Sequence, residues 1–86
     1  MDKELYIIAI KILDRIKESE RLQKVLSDYS ASIKTRFGHH DLNDYKCSRE
    51  GFIILELDDS VDNCLKLIAE LEKIGGIIVK TMNFKI

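Results

Sequence analysis

Residues 52–79 read FIILELDDSVDNCLKLIAELEKIGGIIV, and this stretch decides the fold. It opens with Phe52 to Asp58, a run of branched, aromatic and leucine side chains that suits a pleated, buried surface better than a helix. In a strand, Ile53, Leu55 and Leu57 share one face, while Phe52 and Ile54 share the other. Asp59 or Ser60 follows as a helix N-cap. Val61, Cys64, Leu65, Ile68 and Leu71 then recur at helical spacing and predict one buried stripe. Gly75 is the expected left-handed residue that ends the helix. Gly76 turns the chain into a last strand over Ile77–Ile86, with Ile78, Met82, Phe84 and Ile86 on one face and Ile77 and Val79 on the other.

The N-terminal half repeats this plan. Leu5 to Leu13 reads as a strand, with Tyr6, Ile8, Ile10 and Ile12 on one face and Leu5, Ile7 and Ala9 on the other. From about Ile16 to Ser30 the period changes to that of a helix, with Leu22, Val25, Leu26 and Tyr29 as its stripe and Asp14 or Ser19 as its cap. Ala31 to Phe37 alternates, with Ala31, Ile33, Thr35 and Phe37 set against Ser32, Lys34 and Arg36, which predicts a half-buried edge strand. Gly38 to Gly51 is polar and rich in turn formers, and reads as a long hairpin connection in which Gly38 takes a positive φ.

The order is β-α-β-β-α-β. With right-handed crossovers it gives a ferredoxin-like α+β domain spanning residues 1–86, a four-stranded antiparallel sheet with both helices on one face. Helices then cover one side of the sheet, yet at least three strands carry large apolar residues on both sides. Monomers rarely expose a contiguous apolar patch of several hundred Å². The expected resolution is a homo-oligomer, dimer or tetramer, built through Leu5, Ile7, Phe52, Ile54, Met82 and Phe84.

Composition agrees with one compact domain. An 86-residue chain buries about 60–65% of its unfolded surface, so its core is modest. Fourteen basic and 15 acidic residues leave a formal charge of −1, a poor match to a phosphate backbone, so direct nucleic-acid binding by this domain alone is not expected. Two cysteines do not make a disulfide framework, and no apolar run is long enough to span a membrane; the expected compartment is the cytoplasm.

One polar cluster invites metal chemistry. His39, His40, Asp41, Asp44 and Cys47 lie within nine residues and combine imidazole, carboxylate and thiolate, a donor set for Ni²⁺ or Zn²⁺. Against it, adjacent histidines diverge in an extended segment, and a solvated loop tip explains the same residues. Catalysis has little support: there is no spaced Ser/His/Asp set, and the single Gly-Gly follows a helix instead of opening one, so an enzyme is not expected.

The residues Leu26 to Ser30, Ile33, Arg36-Phe37-Gly38, the strand Phe52–Leu57, Cys64–Leu71 and Gly75 to Thr81 together resemble the small iron-only hydrogenase system regulators. The resemblance covers roughly residues 5–85. It implies an ACT-like fold, similar to the C-terminal domain of the nickel-responsive repressors, and an oligomer with a regulatory role. It also implies a small effector near the turn between the first strand and the first helix. On that basis Asp14, with Arg36 and Gly38 of the family's Arg-x-Gly, are candidate effector-binding residues. The stretch from Gly38 to Gly51 is longer than the family's hairpin, which puts a shared ligand site there in doubt.

Overall fold

Strand β1 (Lys3–Ile12) runs through the middle of the sheet, and everything else is arranged about it. The computed structural model describes residues 3–39 and 50–85. After β1 come helix α1 (Arg15–Asp28), a short 3-10 turn over Ser30–Ser32, strands β2 (Ile33–His39) and β3 (Gly51–Ser60), helix α2 (Val61–Glu72) and strand β4 (Ile77–Lys85). The strand order is β2-β3-β1-β4, and every neighbouring pair is antiparallel.

Alternation decides which side chains go inward. Tyr6, Ile8, Ile10 and Ile12 of β1 are buried beside Ile53, Leu55 and Leu57 of β3, with Ile77 and Val79 packed at their flank. From the helices come Leu22 and Leu26 of α1, and Cys64, Leu67 and Leu71 of α2. Burying a side chain of the Leu or Ile kind contributes roughly 1.5–3 kcal/mol, so this one layer between sheet and helices supplies most of the stability.

Helix α2 starts where the sequence indicates. Ser60 is the N-cap, its Oγ accepting the Asn63 backbone N–H at 3.3 Å. Asp59 braces the same end: its carboxylate accepts from the Ser60 N–H at 2.6 Å, from Asn63 Nδ2 at 3.0 Å, and from the hydroxyl of buried Ser32 at 2.5 Å. The start of α2 is thereby tied to the turn that leads into β2.

Several expectations need correction. The buried stripe of α2 passes through Leu67, and Leu65 is exposed, because the sheet lies against the Cys64–Leu67–Leu71 edge of the helix. The positive φ, 80°, belongs to Gly76, not Gly75; Gly76 is the tight turn whose carbonyl accepts the Leu13 N–H at 2.9 Å. Ser19 lies inside α1, so Asp14 is the residue that precedes the helix. Gly38 and Gly51 are both in strands, and Gly38 has no positive φ. A Cβ at Gly38 would meet Ile53 Cγ1 at 3.5 Å, an ordinary contact, so the fold does not need glycine there.

The largest correction lies in β2. A register shift between Ile33 and Thr35 inserts one extra residue opposite β3. Ile33 stays with the core, but Thr35 and Phe37 rotate to the side away from the helices. Uninterrupted alternation would have kept Ile33 and Phe37 on one face.

Candidate functional site

The face of the sheet turned from the helices is the most distinctive surface of the molecule. Register fixes its membership: Leu5 lies opposite Phe84, Ile7 opposite Met82, and Ala9 between Ile54 and Lys80. Phe37 pairs with Ile54, and Lys11 stands between Phe52 and Ile78. Phe37, Met82 and Phe84 are 58%, 56% and 53% exposed, and Ile54 and Ile78 are exposed as well. Leu5, Ile7 and Phe52 are half-buried by these neighbours. All six residues expected from the sequence at an oligomer interface sit on this one face.

Two more belong with them. Ile78 follows from alternation along β4. Phe37 does not, since it arrives by the bulge in β2, which no periodic signal announces. Polar residues interrupt the face on the inner strands, Lys11 between Phe52 and Ile78 and Glu56 between Ile7 and Thr35. Glu56 accepts the Thr35 hydroxyl at 2.9 Å and stands 4.0 Å from Lys34 Nζ, and Lys11 Nζ is 3.8 Å from Glu50.

The three effector candidates lie elsewhere. Asp14 sits in the β1–α1 turn, past the end of β1. Arg36 is in register with Leu55 on the helix side of β2, and its guanidinium donates to Gln23 Oε1 of α1 at 2.6 Å. Gly38 is in register with Ile53, and through it with Ile10, so two strand spacings separate its column from that of β1. The arginine therefore fastens the edge strand to α1. Of the candidate metal ligands, His39 ends β2 opposite Phe52, whereas His40 and Cys47 lie outside the described residues. Among the described residues no group of three or more His, Cys, Asp and Glu side chains is placed to hold a metal ion.

On the helix side a groove of about 340 Å³ lies between α1 and α2. Val25 and Ile74 are among its walls, with Arg21, Lys24, Lys73 and Glu70 around them. Two of these cations are in exposed ion pairs, Lys24 with Asp28 and Lys73 with Glu70, contacts that contribute little in water. Cys64 is fully buried, and its thiol donates to the Asp59 carbonyl at 3.9 Å. Burial, with the Asp59 charge beside it, pushes that thiol up from its ordinary pKa, so it packs as a protonated, unreactive side chain.

A four-stranded antiparallel sheet in this order, with both helices on one face, is the ferredoxin-like α+β fold. No protein-family model and no curated protein matches the chain. Among solved structures it is similar to the uncharacterized protein TM1266 from Thermotoga maritima, at 28% identity and a TM-score of 0.81, over 94% of this chain and 96% of that one. It is also similar in fold to a protein described as a putative PII-like signaling protein from Thermus thermophilus, at 15% identity and a TM-score of 0.59, over 100% of this chain and 93% of that one. A third similar structure is the apo form of CPII from Thiomonas intermedia K12, a nitrogen regulatory PII-like protein, at 10% identity and a TM-score of 0.58, over 100% of this chain and 95% of that one. Among the described residues no helix is long and apolar enough to cross a membrane.

Proposed function

We propose that this chain is a small regulatory module that assembles with copies of itself and holds a small effector where subunits meet. The observation that carries the reading is the sheet face of Leu5, Ile7, Phe37, Ile54, Met82 and Phe84, which no element among the described residues covers. Water in contact with such a face costs about 25 cal/mol per Å² relative to burial, which makes a second protein surface the favoured cover.

Two likenesses support the regulatory half of the proposal. The fold is shared with nitrogen regulatory CPII, itself described as bound to ADP, AMP and acetate. The sequence resembles the iron-only hydrogenase system regulators along most of its length, and we take the regulated system to be of that kind. In this reading the chain acts by binding, not by catalysis. Asp14, Arg36 and Gly38, which stand off the open sheet face, are the residues we assign to the effector, at a subunit contact other than that face, and we assign the action to the cytoplasm.

Sedimentation equilibrium of the full chain, beside Ile7→Asp, tests the reading. The native chain should sediment as a multiple of its own mass throughout the micromolar range, and the variant as a folded monomer. A native monomer across that range overturns the proposal. A thermal-shift titration with ADP and AMP tests the effector half. Saturable stabilisation lost in Arg36→Ala supports it, and no shift with either nucleotide excludes adenine nucleotides as the effector.

A further inference from the structure

The apolar residues of the open face do not fill it evenly. Pairing register traces six of them as a staircase, with Leu5 beside its Phe84 end and Phe52 and Ile78 flanking Lys11 outside it. Phe37 of β2 lies beside Ile54 of β3, which lies beside Ala9 of β1; the chain steps along β1 to Ile7, across to Met82 of β4, and along to Phe84. Two pairs of like charges stand off that staircase on opposite sides, and they also have partners within the subunit: Glu56 takes the Thr35 hydroxyl and Lys34, and Lys11 takes Glu50. Lys11 and Lys80 occupy the corner toward the β4 edge, at the end where β1 finishes. Glu56 and Asp58 occupy the opposite corner, both on β3, facing Ile7 and Leu5.

This arrangement is complementary to itself under one operation. Strands lie about 4.8 Å apart, and same-face residues along a strand lie about 6.8 Å apart. From Phe37 to Phe84 the staircase crosses three strand spacings and climbs two such steps, about 14 Å in each direction. It therefore runs at about 45° to the strands. A two-fold axis along it, parallel to the sheet, lays the staircase of one copy on that of another. The same rotation exchanges the two corners, and Lys80 of one copy falls over the gap between Glu56 and Asp58 of its partner. The strands of the two sheets then cross at about 90°, one of the two preferred geometries for stacked sheets.

We infer that the occupant of the open face is a second copy of this chain, packed orthogonally about that axis, with Lys80 of each subunit held by Glu56 and Asp58 of the other. The inference rests on the proposed self-assembly and adds its geometry. An unrelated partner would have no reason to match a surface whose basic and acidic corners are exchanged by its own two-fold. The contact is isologous, so each pairing occurs twice and each charge change counts twice.

The test is a charge exchange read by sedimentation velocity, with circular dichroism confirming the fold of each variant. Lys80→Glu sets like charges together at both ends of the interface and should weaken self-association by roughly tenfold or more. The double variant Glu56→Lys/Asp58→Lys should do the same. Mixed in equal amounts, the two should form a dimer again, since each carries the charges the other lacks. If Glu56→Lys disturbs the neighbouring Thr35 contact and unfolds the chain, Asp58→Lys alone serves as the acidic arm. A native assembly that Ile7→Asp disrupts but the charge variants leave intact, or whose charge variants do not recover on mixing, overturns this geometry while keeping the covered face. An assembly indifferent to Ile7→Asp as well overturns both.

Discussion

Ile54 and Leu55 are consecutive residues of one strand with similar side chains, and they belong to different regions of the molecule. Leu55 is fully buried under the helices; Ile54 points the other way, into the open face, 37% exposed. The same contrast repeats along β1, where Ile8 and Ile10 are fully buried while Ile7 and Ala9 keep part of their surface in water. The helix side is a finished core. The open side has the composition of a core but no second layer among the described residues, and that difference separates the surface that folds the chain from the surface proposed to assemble it.

The comparison can be broken by substitution. Leu55→Ala should lower the unfolding free energy by about 2–5 kcal/mol in urea titrations, because it leaves a cavity in close-packed surroundings. Ile54→Ala, one residue away, should cost the isolated subunit about 1 kcal/mol or less while measurably weakening assembly. Equal losses of subunit stability at the two positions would mean that the faces are not different in kind. Gly76→Ala should cost about 1–2 kcal/mol, since its φ of 80° is strained for any residue with a Cβ. Ser60→Ala should cost about 1 kcal/mol through the lost cap. Gly38→Ala, with room for its methyl and no backbone strain, should change stability by no more than about 0.5 kcal/mol.

The smallest effect depends on pH. Cys64 has its thiol pKa raised by burial and by Asp59, and the Tyr6 phenol is raised by burial and by Glu4. The protonated forms are thus favoured in the folded chain. The thiol's contribution is fully present below its unfolded value of about 8.5 and the phenol's below about 10, and each is lost as pH rises toward the folded value. Urea midpoints should fall as pH rises above about 8.5, and Cys64→Ala should flatten the first part of that fall, below about 10.

Much of this was legible in the chain itself. Alternation along β1, β3 and β4 gave the two faces, and the helical stripe of Leu22, Val25, Leu26 and Tyr29 gave the side of α1 that packs. Three features were not legible, each for a physical reason. Leu65 and Leu67 are the same residue type on a widely apolar helix, and which of them is buried depends on where the sheet lies. Gly75 and Gly76 are equally able to take a positive φ, and the one that does is Gly76, whose carbonyl accepts the Leu13 N–H. The bulge after Ile33 changes the phase of β2 without a turn residue to mark it, so Phe37 could not be assigned to the open face in advance. For the candidate site, the sequence supplied six of its apolar residues, but not the diagonal placement of Lys80 relative to Glu56 and Asp58, which exists only once the strands are in register.

The mass of the native particle tests the central claim most directly. Light scattering on the full chain at micromolar concentration should return an integer multiple of 10.0 kDa, two or greater. A single 10.0 kDa particle, folded and stable with Phe37, Met82 and Phe84 in water, would contradict the account.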